Sequence, residues 1–297
     1  MALSFSLAPA RMQVARAPVS RNYWMLVWRQ VRRDPVAVAS ALLILAIIAA
    51  AVFAPWLAPA DPYKGSMIRR LLPVGSAGYL LGTDELGRDM LTRLMYGGRL
   101  SLLMGVLPVL FAFGIGTSIG LFAGYIGGRF NTVVMRVLDV FYAFPSVLLA
   151  VAISGALGPG MSNSIIALTL IFIPQVVRVA ESVTTQVSKL DYIEAARMSG
   201  ASAFSIIRVH VLGNVLGPVF VYATGLISVS LILASGLSFL GLGVKPPEPE
   251  WGLMLNTLRA AIYNNPWVAA MPGVFIFVTS IAFNLLADSV RSAMDIH

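Results

Sequence analysis

The fold this sequence predicts is an all-α integral membrane protein with six transmembrane helices, and three observations carry that expectation. Charged residues make up 11% of the chain and hydrophobic ones 58%, whereas a soluble domain carries roughly 25% charged residues. The charges are also widely spaced. None occurs from Val36 to Ala60, Leu100 to Gly128, Val140 to Val177, Val209 to Val244 or Ala260 to Ala287. Finally, these runs do not alternate polar and apolar residues as barrel strands do. Backbone facing lipid must satisfy its own hydrogen bonds, which a helix does.

Residues 1–35 form a basic tail. Within it "YWMLVWRQVRRDP" (23–35) mixes aromatics and arginines, which suits a helix lying on the membrane surface. The first span covers 36–57. Ala58-Pro59-Ala60 resembles a signal-peptide cleavage site, but the apolar run before it exceeds the 7–15 residues of a signal core, so an uncleaved span is expected. An external segment completes the 36–99 unit. Pro59, Pro62 and Pro73 make its first part irregular. "DELGRDMLTRLMYGG" (84–98) then predicts an interfacial helix, with Leu86, Met90, Leu91, Leu94 and Met95 on one face. Asp84 with Arg88, and Asp89 with Arg93, are acid-before-base pairs worth about 0.2–0.5 kcal/mol each.

The second span covers 100–124, where Gly116, Gly120, Gly124 and Gly128 recur every fourth residue. Such a row lets another backbone approach closely, either within this chain or at a subunit interface. The gap from 140 to 177 is broken by "GALGPGMSNS" (155–164) and holds two spans, 134–155 and 163–182, at roughly 20 residues each. "VHVLGNVLGP" (209–218) reads as a lead-in to a fifth span at 217–242, and a sixth covers 267–287. Asp139 beside Arg136, and Arg178 beside Glu181, read as structural pairs near the inner span ends. Arg11, Arg16, Arg21, Arg29, Arg32 and Arg33 precede the first span, and the side shared by both termini holds most of the 21 Lys and Arg, which predicts cytoplasmic termini.

Little chemistry is visible. The chain has no cysteine and two histidines, so no thiolate or His-rich metal site and no catalytic residue is expected. "GTSIG" (116–120) matches the hydrolase G-x-S-x-G pattern but lies inside an apolar helix rather than on a strand-to-helix turn. Lys64, Lys189 and Lys245 follow Tyr, Ser and Val, so no Gly-Lys phosphate loop exists. No basic domain points to nucleic acid. Transport or scaffolding remains.

One polar stretch stands out, "LDYIEAARMSGAS" at 190–202. Asp191 is placed to cap a helix, with Glu194 at capping-box spacing. Gly200 is placed to end it in a left-handed residue, giving a helix at 192–199 of roughly 12 Å. Ser202 would cap a second piece, 203–212, with Phe204, Ile207 and Val211 on one face. The result is a compact protrusion, or else an ordinary amphipathic loop.

"EAARMSG" (194–200), with Ile207, Leu212 and Pro218 downstream, resembles the EAA loop of ABC importer permeases. "LLGTDELGRDMLTRLMYGGRLSLLMG" (80–105), "LSFLGLGVKPPEPEWGLML" (237–255) and "AFNLLADSVRSAMD" (282–295) resemble the second permease of dipeptide, oligopeptide and nickel importers. The likeness runs from about residue 25 to the end. It implies a type I importer permease fold in a bacterial inner membrane, with the transmembrane domain at 97–290 and the coupling loop at 188–213. It further implies a related second permease, two ATP-binding subunits that hold ATP and Mg, and an extracytoplasmic peptide-binding protein, with no cofactor in this chain. Asp191, Glu194, Ala195, Ala196 and Gly200 would couple to the ATPases. In "PPEPEWG" (246–252), Pro247, Glu250 and Trp251 would meet the binding protein, or the segment is a stiff loop. Cargo would be di- or oligopeptides, with nickel, glutathione or another small solute as alternatives. The family often has proline where this chain has Gly213, in "HVLGN", and glycine would keep the bend there. An ion-coupled transporter acting alone would place ionisable or unwound polar elements near midplane, and no charged residue lies there.

Overall fold

A computed structural model describes residues 23–295. Arg11, Arg16, Arg21 and His297 lie outside that range. Among the described residues the regular structure is helical, and strand-like pairing is limited to the isolated bridges Ser76–Tyr79 and Thr83–Asp89. Five helices are long and apolar enough to cross a membrane, and a bent pair makes a sixth candidate.

The chain begins with α1 (Tyr23–Val31), then α2 (Pro35–Val52) and the short α3 (Ala54–Leu57). Asp34 starts α2: its side chain accepts the Val36 N–H at 2.9 Å, and Pro35 fills the first helical position. A hydrogen bond with Ser289, ahead of the one from Val36, holds the Asp34 carboxyl below the usual carboxylate range. α1 therefore packs beside the C-terminal helix.

α4 runs from Met90 to Ile126 as one 37-residue helix. The interfacial helix expected at 84–98 is thus replaced by a buried turn at 84–89 and the first turns of α4. The reason is local. Asp89 accepts the Thr92 N–H at 2.7 Å and fixes the helix start there. With Asp89 occupied as cap, the expected Asp89–Arg93 pair does not form. Arg93 turns instead to Asp84 at 3.1 Å, alongside Arg88 at 2.6 Å, and all three side chains are buried.

The third span is broken. α5 (Gly128–Tyr142) and α6 (Ser146–Leu157) meet at 87°. Pro145 supplies no N–H and disfavours helical backbone at Phe144. α7 (Met161–Val187) follows, then α8 (Asp191–Met198). α9 (Ala203–Ile206), a π-helical turn (Ile207–Val211) and α10 (Leu212–Phe239) join into one helix across 203–239. Gly213 lies inside it, so the bend expected there is absent, and the irregularity falls one turn earlier. Phe204 is exposed while Ile206, Ile207 and Val211 are buried, which removes Phe204 from the expected face. α11 (Trp251–Leu258) and α12 (Pro266–Asp295) complete the fold.

α4, α7 and α10 form the core, through Met104, Leu121, Leu168, Phe172, Val176, Val215, Val219 and Leu237. The glycine row sets the α4–α7 distance. A Cβ on Gly116 would sit 2.8 Å from Val176 Cβ, on Gly120 2.5 Å from the Val177 carbonyl oxygen, and on Gly124 2.7 Å from the Glu181 carbonyl oxygen. The row therefore serves packing inside this chain. Gly128 does not belong to it: α4 has ended, its φ is +55°, and nothing lies within 4 Å of its Cβ position. A second cluster, including Met90, Leu94, Trp251, Met254 and Val268, closes the end opposite α8.

Candidate functional site

The 190–202 protrusion folds as follows. Leu190, in extended conformation, occupies the cap position of α8 and provides no side-chain cap. Asp191 is therefore the first helical residue, one earlier than expected, and the Asp191–Glu194 capping box is not made. Both carboxylates instead sit in the first turn, where the helix dipole favours negative charge. The far end closes in a Schellman arrangement. Gly200 N–H donates to the Arg197 carbonyl at 3.0 Å, Ala201 N–H donates to the Ala196 carbonyl at 3.2 Å, and Gly200 has φ +81°. Ser202 caps the next piece by accepting the Ser205 N–H at 3.3 Å.

What holds α8 in place was not singled out from sequence. Ile193 is 0% exposed and inserts into the main core, with Ala196 packed partly against it. The signal lay in Leu190, Ile193 and Ala196, spaced three apart. Tyr192 is tied to the root of α10: Asn214 donates to its hydroxyl at 3.2 Å and to the His210 carbonyl at 2.7 Å. Burial pushes the Tyr192 phenol above its ordinary range. Arg197 lies over the Tyr125 ring at 5.1 Å, fastening α8 to the end of α4. Asp191, Glu194, Ala195 and Gly200 face outward, beside the apolar side chains of Met198 (90% exposed) and Phe204 (67%).

At the opposite end the structure turns Glu250 and Trp251 inward, each 1% exposed, so neither side chain offers a surface to a partner. Glu250 caps α11, accepting the Gly252 N–H at 2.9 Å and the Leu253 N–H at 2.8 Å, and Ser101 donates to it at 3.0 Å. Burial outweighs these bonds and raises the Glu250 carboxyl above the usual range. Trp251 Nε1 donates to the Leu94 carbonyl at 2.9 Å. Pro247 is exposed. Its carbonyl and that of Pro62 accept from Arg93 at 3.4 and 2.9 Å, and Tyr63 donates to Glu248 at 2.8 Å, so the segments around 62–63 and 247–248 are laced together. Among the described residues no cluster of His, Asp and Glu fit to hold a metal ion occurs.

Comparisons with known proteins agree with this architecture. Residues 116–296 match the family described as binding-protein-dependent transport system inner membrane component, and residues 22–73 match the N-terminal TM domain of oligopeptide transport permease C. The chain is 41% identical over 286 residues to the glutathione transport system permease protein GsiD of Pectobacterium atrosepticum, covering 96% of this chain and 95% of that protein. It is 41% identical over 273 residues to the di/tripeptide transport system permease protein DppC of Pseudomonas aeruginosa, covering 90% of each. Among solved structures it resembles a chain of the inward-facing MetNI methionine ABC transporter. The TM-score is 0.56 at 20% identity, covering 69% of this chain and 97% of that one, a likeness of fold. The chain is a multi-pass inner membrane permease of the binding-protein-dependent ABC importer family, of the C type found in peptide systems, with the type I fold.

Proposed function

We propose that this permease carries small peptides, glutathione among them, inward, and that α8 is where separate ATPase subunits grip it. The observation that supports the reading most is the contrast within α8. Its inner face is locked by Ile193, Tyr192 and Arg197, while Met198 at its end, with Phe204 of the adjoining α9, stands exposed among the described residues. Exposed apolar side chains on a rigid mount suit insertion into a groove of another protein. The chain has no phosphate loop, so ATP and Mg bind the partner subunits. A related second permease completes the path, and a peptide-binding protein meets the end carrying Pro247, Tyr63 and Glu248. α1, α8 and the end of α12 share the cytoplasmic side. The relatives named for glutathione and for di/tripeptides support a cargo with a peptide bond.

Reconstitution tests this. Proteoliposomes holding both permeases and both ATPases should take up dialanine or glutathione only when ATP and the binding protein are present. Uptake driven by an ion gradient without any ATPase would overturn the assignment.

A further inference from the structure

At the kink of the third span, three helices bring polar side chains together. Arg178 of α7 donates to Asp139 of α5 at 2.8 Å, and Arg136 Nη1 lies 3.9 Å from the other Asp139 oxygen. Arg178 also lies 4.8 Å from the Tyr142 ring centroid. Toward the core, Tyr222 of α10 donates to Gln175 at 3.3 Å, one turn from Arg178. The pair is not enclosed: the side chains of Arg178 and Asp139 are 51% and 48% exposed. Arg178 stands roughly 14 Å along α7 from Val187, at about 1.5 Å per residue, which puts it inward of midplane.

Half-exposed charges at that depth call for water or protein beside them, because hydrocarbon strongly penalises an unpaired charge. An anionic lipid headgroup suits Arg136 and Arg178 but is repelled by Asp139, which sits between them. A peptide with free ends suits both signs at once. It carries one ammonium and one carboxylate, the two signs that Arg178 and Asp139 hold side by side. We propose that Asp139 and Arg178 line the inner half of the translocation path. There they exchange their mutual pairing for the ammonium and carboxylate of a passing zwitterionic peptide, and they close behind it when the pair re-forms. This rests on the peptide reading above and names residues within it.

The test uses the complete reconstituted complex with labelled dialanine and labelled glutathione. Asp139→Asn and Arg178→Gln should each lower uptake at least tenfold and raise ATP hydrolysis in the absence of binding protein several-fold. The exchanged pair, Asp139→Arg with Arg178→Asp, should restore low basal hydrolysis while leaving uptake impaired, because the charges meet the cargo in reversed places. Full recovery of uptake in the exchanged pair, or normal uptake in both single variants, would overturn the proposal. If the single variants assemble poorly, a photo-cross-linking side chain at Arg136 in the otherwise native complex decides. Labelling of the peptide during turnover supports the assignment, and labelling confined to lipid or to the second permease overturns it. A native complex that transports neither cargo would defeat the peptide reading and this inference with it. A native complex that transports while the variants behave normally defeats the inference alone.

Discussion

Gly120→Ala should weaken the α4–α7 contact more than any other single methyl added to that helix face. The new Cβ would stand 2.5 Å from the Val177 carbonyl oxygen, 2.6 Å from Ala180 Cβ and 2.9 Å from the Glu181 nitrogen, whereas ordinary contacts begin at 3.4 Å. Relief therefore needs a separation of about 1 Å. Two of the three obstacles are backbone, which no rotamer change moves. Opening the helices at Gly120 also loosens the contacts of Gly116 and Gly124 on the same ridge. Overpacking of this kind costs about 1–3 kcal/mol. Gly114→Ala is the control, in the same helix with nothing within 4 Å of its Cβ. It should be neutral or gain up to about 1 kcal/mol from helix propensity. Unfolding of the detergent-solubilised chain by SDS titration, followed by circular dichroism, separates the two. Equal midpoints for both variants would refute the packing assignment of the glycine row.

Three further perturbations address the two ends. Gly200→Ala meets no atom but forces an L residue to φ +81°, at about 1–2 kcal/mol, so peptide uptake per ATP should fall while membrane yield holds; unchanged coupling would count against the Schellman turn as a functional element. Arg93→Gln removes one of two partners of buried Asp84 and two carbonyl contacts, for about 3 kcal/mol at the lower end of the range for a broken buried pair, and limited proteolysis should then cut within 58–89. Glu250 has a raised carboxyl pKa, so the folded chain holds its proton more tightly than the unfolded one. Its contribution to stability is full below the ordinary carboxyl value of 4.5 and is lost as pH rises through the raised value. Thermal midpoints of the native chain should therefore gain on those of Glu250→Gln as pH is lowered through that window.

What was legible followed from local chemistry. The charge-free runs gave the spans because a bilayer constrains each run by itself, and Gly200 and Ser202 gave the turn because turn preferences act within a few residues. Asp191 misled because Leu190 can take the extended cap position without a side-chain bond, leaving the carboxylates to act on the helix dipole. The kink at Pro145 was hidden because hydropathy counts length and is blind to direction. Trp251 and Glu250 read as surface because prolines surround them. Their partners, Leu94 and Ser101, lie about half the chain away, beyond the reach of any local pattern.

The same distant bonds bear on how a push at α8 travels. The helix across 203–239 would reach roughly 55 Å at about 1.5 Å per residue, from the foot of the protrusion to the opposite end of the bundle. There Asn256 of α11 donates to the Phe239 carbonyl, while Trp251 and Glu250 tie α11 to α4. Nearer the middle a Cβ on Gly105 of α4 would fall 2.6 Å from Leu231 Cγ of α10, so the two helices are in close register there too. Sliding α10 by one turn would break the α11 ties and drive Leu231 into a neighbouring α4 residue. A force on α8 is therefore expected to rotate α4, α7 and α10 together. The break at Pro145, where α5 and α6 meet at 87°, is a place left to yield. It carries Asp139 on one side, so rotation of the core against α5 would act directly on the Asp139–Arg178 bond that spans them.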